Sequence, residues 1–181
     1  MSKKQLILCT GGVRSGKSRM AQKLAESFER PLFLATAEAL DAEMAERIIY
    51  HKLARDERWQ TVEEPLDIAG AINRAENCDV ILLDCLTLWL GNILHKEGAD
   101  AFDMRKCEFL AALERRKTNI ILVTNEVGLG LVPDNELARR FRDMAGFLNQ
   151  TLASKADTVV LMVSGLPLVI KGDLSEFEPV V

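Results

Sequence analysis

Residues 11–18 form a glycine-rich stretch that fits the pattern G-x-x-x-x-G-K-[ST]. A short apolar run, residues 5–10, precedes this stretch, and a run whose apolar residues recur at helical spacing follows it. In such a strand–loop–helix unit, loop N–H groups and the helix N-terminus bind phosphate oxygens, the lysine reaches the β- and γ-phosphates, and the serine hydroxyl ligates Mg²⁺. The stretch therefore predicts a nucleoside triphosphate site. Its residues are Gly11, Gly12, Val13, Arg14, Ser15, Gly16, Lys17 and Ser18.

Further apolar runs alternate with stretches of helical periodicity along the rest of the chain. The runs at 31–36, 79–84, 119–124 and 158–164 have the length and composition of buried strands. A last run, 166–171, follows across Gly165 and predicts an antiparallel edge hairpin. The alternation predicts an α/β fold, a single domain over residues 1–171 with a mainly parallel sheet flanked by helices. Residues 172–181 form an acidic tail, for which disorder is one interpretation.

Size and charge narrow the classes of function. The chain has 181 residues, of which 48% are apolar and 28% charged, and its formal net charge is −4 at pH 7. This balance lacks the basic footprint of sequence-independent nucleic-acid binding, so small-molecule partners are expected instead. No apolar run reaches the roughly 18 residues of a membrane span, and the N-terminal run is too short for a secretory signal. We therefore expect a cytoplasmic protein without nucleic-acid or membrane partners.

The four cysteines are not spaced as metal ligands. Cys9, Cys78, Cys85 and Cys107 include no C-x-x-C pair, and three of them lie in or beside apolar segments. A cysteine in such a segment usually acts as a small core residue. We predict free thiols and no structural zinc.

Polar residues follow two of the predicted strands. Asp84 ends the apolar run at 79–84, as does the acid that P-loop proteins place near the metal ion. An alternative is that Asp84 caps a helix beginning at 85–87. Asn125 and Glu126 end the run at 119–124, and the carboxyl edge of an open α/β sheet is where ligands bind.

Besides a helical pattern from Leu66 to Ala75, three later helices are predicted. One helix follows Asp41, which can cap it, and extends to about Arg55. At 100° per residue, one narrow face of this helix carries Met44, Ile48, His51 and Arg55, and Arg47 lies beside that face. That face could bind phosphates, or it could be a packed face whose basic residues reach solvent at its rim. A second helix, 102–117, reads as charged and exposed. A third is capped by Asp134 or Asn135, with an apolar stripe at Leu137, Phe141, Met144, Leu148 and Leu152, and Arg139, Arg140 and Arg142 beside it.

Several short motifs, taken together, resemble one family. They are T-G-G-V-R-S-G-K-S at 10–18, A-T-A at 35–37, R-I-x-x-H at 47–51, Arg55 before Trp59, T-x-E at 61–63, L-D-C-L-T at 83–87, T-N-E-V-G at 124–128 and N-x-L-A-R-x-F-R-D-x-A-G at 135–146. Over about residues 6–171 the chain resembles the bifunctional adenosylcobinamide kinase / adenosylcobinamide-phosphate guanylyltransferase of cobalamin biosynthesis.

This resemblance implies a RecA-like P-loop fold, a homotrimer and two reactions. ATP or GTP first phosphorylates adenosylcobinamide, and GTP then transfers GMP to adenosylcobinamide phosphate through a GMP–histidine intermediate. The products are adenosylcobinamide-GDP and pyrophosphate. The catalytic histidine of the family's R-I-x-x-H motif corresponds to His51. Some members carry a second, adjacent histidine where this chain has Tyr50, so His51 is the only histidine in the motif here.

The loop pattern and the strand end assign catalysis to Lys17 and Mg²⁺ binding to Ser18 and Asp84. The resemblance adds nucleotide contacts, and other members of the family have glutamate at position 84, which leaves metal or nucleotide contact open for Asp84. Nucleotide contacts beyond the loop would come from Thr36, Ala37, Glu38, Lys52, Leu53, Ala54, Arg55, Glu63 and Asp84.

Two other readings of the motifs remain open. A generic P-loop kinase of a small metabolite would use His51 only as a phosphate contact. A nucleotide-dependent switch or binding module would hydrolyse nucleotide slowly and act through a partner, but the chain has no N-K-x-D guanine signature. Stable labelling of the protein by α-labelled GTP separates the guanylyltransferase from both.

Overall fold

A computed structural model describes residues 4–39, 41–53, 55–175 and 177; the side chains of Glu43, Arg47, Tyr50 and His51 lie outside this described part. Its strands are β1 Leu6–Gly11, β2 Pro31–Ala35, β3 Gln60–Glu63, β4 Val80–Asp84, β5 Asn119–Val123, β6 Thr158–Val163 and β7 Leu166–Lys171. Its helices are α1 Lys17–Glu26, α2 Ala42–Leu53, α3 Ile68–Arg74, α4 Leu86–Lys96, α5 Ala101–Glu114 and α6 Glu136–Lys155.

Within the described residues the strands form one sheet, in the order β3-β2-β4-β5-β1-β6-β7. Every neighbouring pair is parallel except β6 and β7, which are antiparallel. Ser164 and Gly165 join β6 to β7 with φ values of 51° and 87°, as a two-residue hairpin turn requires. The predicted α/β fold, parallel sheet and edge hairpin are confirmed.

The hydrophobic core has two layers because helices cover both faces of the sheet. Helix α1 packs Met20, Leu24 and neighbouring apolar residues on one face. Helices α3 to α6 pack on the other face. The central strands β1, β4 and β5 are buried on both faces, which explains why their sequences are continuous apolar runs and do not alternate.

Two helices differ from expectation. Helix α5 is not simply exposed, because Phe109 and Phe102 lie against Trp89 of α4, with ring centroids 5.4 and 6.4 Å apart. Its charged residues mask four apolar positions that face the core: Phe102, Phe109, Ala112 and Leu113. In α6 the predicted stripe is buried only in its second half, at Leu148 and Leu152, whereas Leu137 is 65% exposed.

Part of the acidic segment beyond β7 packs against the core. Leu174 and Phe177 are partly buried against the α1 side of the core, and the Phe177 ring lies 6.2 Å from that of Phe28. Disorder is therefore the wrong interpretation for these two residues. Residues 176 and 178–181 of the segment lie outside the described part, and the domain boundary at 171/172 stays a prediction.

Candidate active site

The glycine-rich loop joins β1 to α1 as predicted. Gly16 caps α1 with φ 94°, and a Cβ on Gly11, where φ is 150°, would lie 2.6 Å from the Met162 carbonyl oxygen. These two positions therefore require glycine. The loop curls back on itself, since the Lys17 ammonium donates to the Gly12 carbonyl oxygen at 3.0 Å.

Lys17 and Ser15 are both buried polar residues of this loop. Lys17 is 8% exposed, and burial lowers its pKa, while Cys85 and Asp84 act in the opposite direction. The Ser15 hydroxyl is buried and has no hydrogen-bond partner within the described part of the chain. Polar groups buried in this way need a partner, so the loop is built to receive an anionic ligand.

A cavity of about 870 Å³ opens beside the loop. It lies at the carboxyl edge of the parallel strands, where open α/β sheets bind ligands. The predicted site residues that line it are Val13, Arg14, Ser15, Gly16, Lys17, Ser18, Ala37, Lys52, Arg55 and Asp84. The loop, β4 and α2 are thus brought to one site.

Asp84 is the last residue of β4, paired with Ala35 on β2 and Val123 on β5. It does not cap α4, because the N-cap residue is Cys85. The alternative reading of Asp84 as a helix cap is therefore wrong. Its carboxylate opposes the effect of burial on the pKa of both Lys17 and Arg55, which places its charge close to these two cations.

Other predicted contacts lie around this cavity but do not line it. Thr36 is fully buried, and its hydroxyl donates to the Cys85 carbonyl oxygen at 2.7 Å and accepts from the Cys85 N–H at 2.8 Å. Glu38 pairs with Lys96 at 2.6 Å. Leu53 is 80% exposed, and Ala54 lies outside the described residues.

A second hollow, of about 550 Å³, continues past Arg55 toward β3. Its walls include Glu63, whose carboxylate pairs with the Lys52 ammonium at 2.5 Å. It shares Lys52, Arg55 and Thr61 with the larger cavity. The two hollows together give room for a ligand longer than a triphosphate group alone.

Phe33 lines the larger cavity and Trp59 lines the second hollow, and sequence analysis did not identify either as a site residue. The Arg55 guanidinium lies 3.9 Å over the Phe33 ring, and the Trp59 ring meets that of Phe33 edge-on at 6.3 Å. Arg55 Nη1 and Trp59 Nε1 are buried donors without a partner among the described residues. Phe33 lies within the continuous apolar run of β2 and Trp59 directly before β3, and neither setting carries a sequence signal that separates a cavity wall from the core.

The loop also contacts the hairpin tip, which the sequence did not predict. The Gly165 N–H donates to the Ser15 carbonyl oxygen at 3.0 Å, and Ser164 and Gly165 line the cavity.

The polar residues that follow β5 differ in their position. Asn125 lines the cavity, whereas the Glu126 carboxylate accepts the Gly128 N–H at 2.7 Å. Arg139 donates to two loop carbonyl oxygens, those of Pro133 and Asp134.

The donor chemistry of Ser18 and Asp84 suits Mg²⁺. A hydroxyl and a carboxylate are the hard oxygen ligands that this ion prefers, and both residues line the cavity. Across the described residues, His, Cys, Asp and Glu form no group of three that could hold a metal ion. Two protein oxygens fit Mg²⁺, because it usually keeps water and substrate phosphates as further ligands.

The fold and this site define the class. A phosphate-binding loop between β1 and α1, and an acid at the end of β4, a parallel strand separated from β1 only by β5, make the chain a P-loop nucleotide-binding protein. No helix among the described residues is long and apolar enough to cross a membrane.

Comparison with known proteins gives the family. The family model for cobinamide kinase / cobinamide phosphate guanyltransferase matches residues 7–170. The chain is 45% identical over 168 residues to the bifunctional adenosylcobalamin biosynthesis protein CobP of Pseudomonas aeruginosa, covering 92% of this chain and 97% of that protein. It is 42% identical over 180 residues to the corresponding CobU of Escherichia coli K12, covering 92% and 99%. This chain belongs to the cobinamide kinase / cobinamide phosphate guanylyltransferase family, and the predicted family is confirmed.

A solved structure with little sequence identity to this chain has a similar fold. A solved structure from Pyrococcus horikoshii OT3 matches with a TM-score of 0.52 at 8% identity, covering 96% of this chain and 89% of that one. At this identity the match concerns the fold alone.

Proposed function

We propose that this protein phosphorylates adenosylcobinamide with ATP or GTP, and then transfers GMP from GTP to adenosylcobinamide phosphate. The observation that carries the proposal is one cavity lined by the phosphate loop, by Asp84 and by helix α2. Family membership supports both activities, because the matched family is a kinase and a guanylyltransferase. The single loop would hold the triphosphate in both reactions.

In the kinase reaction, the substrate hydroxyl oxygen bonds to the γ-phosphorus while the bond from that phosphorus to the nucleoside diphosphate breaks. Lys17 would hold the β- and γ-phosphates, and the loop N–H groups would bind their oxygens. Mg²⁺ bound at Ser18 and Asp84 would supply charge neutralisation for the phosphates. The hydroxyl proton leaves to solvent or to a basic group of the substrate complex.

In the guanylyl reaction, His51 is the proposed nucleophile. The observation that supports this role is helical spacing: position 51 follows Ile48 by three residues, and Met44 and Ile48 of α2 line the cavity. A neutral imidazole nitrogen can attack the α-phosphorus. Pyrophosphate leaves, and a phosphate oxygen of the second substrate then displaces the histidine to give adenosylcobinamide-GDP.

The nucleotide side of the proposal draws on cations around the cavity. Lys52 and Arg55 lie where they can neutralise phosphate charge, and Arg55 has a buried donor without a partner in the described part. Glu63 lies in the adjoining hollow and would contact the nucleotide there. Burial lowers the pKa of Arg55, with Asp84 opposing this, and an anionic ligand would offset that cost.

Oligomerisation is part of the proposal by family resemblance. Exposed apolar side chains on α6, at Leu137 and Phe147, support a subunit contact, and we propose a homotrimer. Sedimentation at several concentrations measures the state. A monomer that is fully active at nanomolar concentration would contradict any need for a partner subunit.

The test is incubation of the protein with α-labelled GTP and Mg²⁺ alone. We expect a covalent label that survives alkali and is lost in mild acid, as a phosphoramidate is. His51→Ala should abolish the label and guanylyl transfer but leave most kinase activity, since phosphoryl transfer to a hydroxyl needs no protein nucleophile. His95→Ala is the matched control, because His95 is the only other histidine in the sequence and lies exposed near the end of α4.

Three outcomes would contradict the proposal. Label on the His51→Ala protein would make another residue the nucleophile. An acid-stable label would exclude a phosphoramidate. Kinase activity without any label on the wild-type protein would favour the generic small-metabolite kinase.

A further inference from the structure

A polar segment at the end of β5 continues the sheet beyond its last strand residue. The Thr124 N–H donates to the Cys9 carbonyl oxygen and the Glu126 N–H to the Gly11 carbonyl oxygen, both at 3.0 Å. The segment therefore runs beside the entry to the phosphate loop. On its other side Val123 pairs with Asp84, so Asn125 lies between the strand that carries the loop and the strand that ends in the acid.

The backbone of Asn125 is held by two side chains from different helices. Its N–H donates to the Thr87 hydroxyl oxygen at 2.8 Å, and Thr87 lies in the first turn of α4. Its carbonyl oxygen accepts from Asn149 Nδ2 of α6 at 3.2 Å, and Asn149 Oδ1 accepts from the Thr124 hydroxyl at 2.8 Å. These bonds hold the Asn125 main chain in one orientation.

The Asn125 side chain, in contrast to its main chain, has no hydrogen-bond partner within the described residues. Asn125 is one of the residues that line the cavity, as are Lys17, Ser18 and Asp84. An amide side chain that has no hydrogen-bond partner within the described residues, on a main chain held by Thr87 and Asn149, is suited to bind a ligand.

We propose that Asn125 is a further catalytic residue of the kinase reaction, whose Nδ2 donates a hydrogen bond to a γ-phosphoryl oxygen, and that Thr87 and Asn149 are its positioning residues. The inference rests on the proposed function. Lys17 and the Ser18–Asp84 pair are the groups assigned to the β- and γ-phosphates. Asn125 follows β5, which lies between β1, whose loop leads to Lys17 and Ser18, and β4, which ends in Asp84. No proton moves to or from the carboxamide, which only binds the phosphoryl oxygen while the P–O bond to the leaving diphosphate breaks.

Asn125→Ala should lower kinase activity and leave guanylyl transfer nearly unchanged, whereas His51→Ala should abolish guanylyl transfer and leave kinase activity. In guanylyl transfer the reaction occurs at the α-phosphorus, away from the γ-phosphoryl group. Asn125→Ala should lower the kinase kcat by about 10²-fold, the usual effect of removing one donor to a reacting oxyanion. The KM for ATP and the rate of labelling of His51 by α-labelled GTP should each change by less than about threefold, because a neutral donor adds little to binding of the ground state.

Thr87→Val tests the positioning role. It removes the acceptor of the Asn125 N–H at nearly constant volume, and we expect a fall in kinase kcat of about tenfold. In the Asn125→Ala background it should have no further effect on kcat, because it acts through Asn125. Thr118→Val is the matched control: the Thr118 hydroxyl also bonds main chain, the Cys78 carbonyl oxygen at 3.1 Å, but at the opposite edge of the sheet.

Urea unfolding of each variant shows whether the variant folds. If Asn125→Ala is not folded, Asn125→Asp replaces it, and its carboxylate should also lower the kinase kcat by repelling the phosphoryl group. Equal loss of both activities, a change in KM alone, or additive effects of Thr87→Val and Asn125→Ala would overturn the proposal. A wild-type protein without kinase activity would instead contradict the proposed function, so the two failures are distinct.

Discussion

The hydroxyl of Thr36 both donates to the Cys85 carbonyl oxygen and accepts from the Cys85 N–H, at 2.7 and 2.8 Å. This pair joins the end of β2 to the residue that follows Asp84, and the Thr36 N–H adds a bond to the Asp84 carbonyl oxygen at 3.2 Å. Thr36 is fully buried. It therefore acts on the nucleotide site by holding the chain at Asp84 in place.

Thr36→Val should destabilise the protein and reduce activity together. The substitution leaves two buried backbone groups of Cys85 without their partner, at a cost of about 1–3 kcal/mol in the free energy of unfolding. Urea unfolding measures this change. Thr151→Val is the control, because the Thr151 hydroxyl bonds only the Phe147 carbonyl oxygen on the exposed side of α6. Equal stability of the two variants would show that the Thr36–Cys85 pair contributes nothing net.

Lys17→Ala should lower both activities. The proposed shared cradle loses a charged contact to the phosphates, which costs about 3–4 kcal/mol of transition-state stabilisation, or about 10²–10³ in rate. Both kcat/KM values are measured with the same preparation. Lys23→Ala on the same helix is the control, since Lys23 is exposed. Near wild-type turnover in both assays would refute a shared cradle.

Asp84→Asn should weaken Mg²⁺-dependent turnover more than nucleotide binding. The amide keeps the shape of the carboxylate but loses the charge that a divalent ion prefers. A Mg²⁺ titration of turnover, set beside nucleotide binding by calorimetry, gives the comparison. Asp103→Asn, an exposed acid of α5, is the control. An unchanged metal dependence would make Asp84 a nucleotide contact.

Thiol reagents should distinguish the cysteines. Cys107 is exposed, whereas burial raises the pKa of Cys9 to about 12 and that of Cys85 to about 11. At pH 8 a disulfide reagent should modify Cys107 first, and Cys9 and Cys85 only on unfolding, because the thiolate is the reactive form. Mass spectrometry of digested protein locates the modification. Rapid reaction of Cys9 in folded protein would contradict its burial.

The same thiols predict a loss of stability in alkali. Cys9 keeps its proton in the folded state up to about pH 12, whereas in the unfolded chain its pKa returns to about 9.0. Its contribution to the free energy of unfolding is therefore complete below pH 9 and is lost as the pH rises toward 12. Urea unfolding from pH 8 to 11 should show a smaller decline for Cys9→Ala than for the wild-type protein.

Local signals in the sequence were enough to predict the phosphate loop, the parallel strands and the edge hairpin. A loop with glycines at fixed positions, a run of buried strand residues and a two-residue turn each depend on neighbours in the chain. The caps at Asp41 and Asn135 follow the same rule, since each accepts an N–H three residues later. Position 84 was identified because the end of a buried strand is visible in the sequence.

What only the tertiary structure decided depends on residues distant in the chain. Thr36 and Cys85 meet because β2 and β4 are neighbours, and Arg55 lies over Phe33 because β3, the strand that follows α2, pairs with β2. Asn125 is held by Thr87 and Asn149, residues 38 and 24 positions away. Helix α4 was predicted only as an alternative, and the buried face of α5 was missed, for the same reason: Trp89 and Phe109 are core residues through packing between helices, and helical spacing within either segment does not reveal its partner.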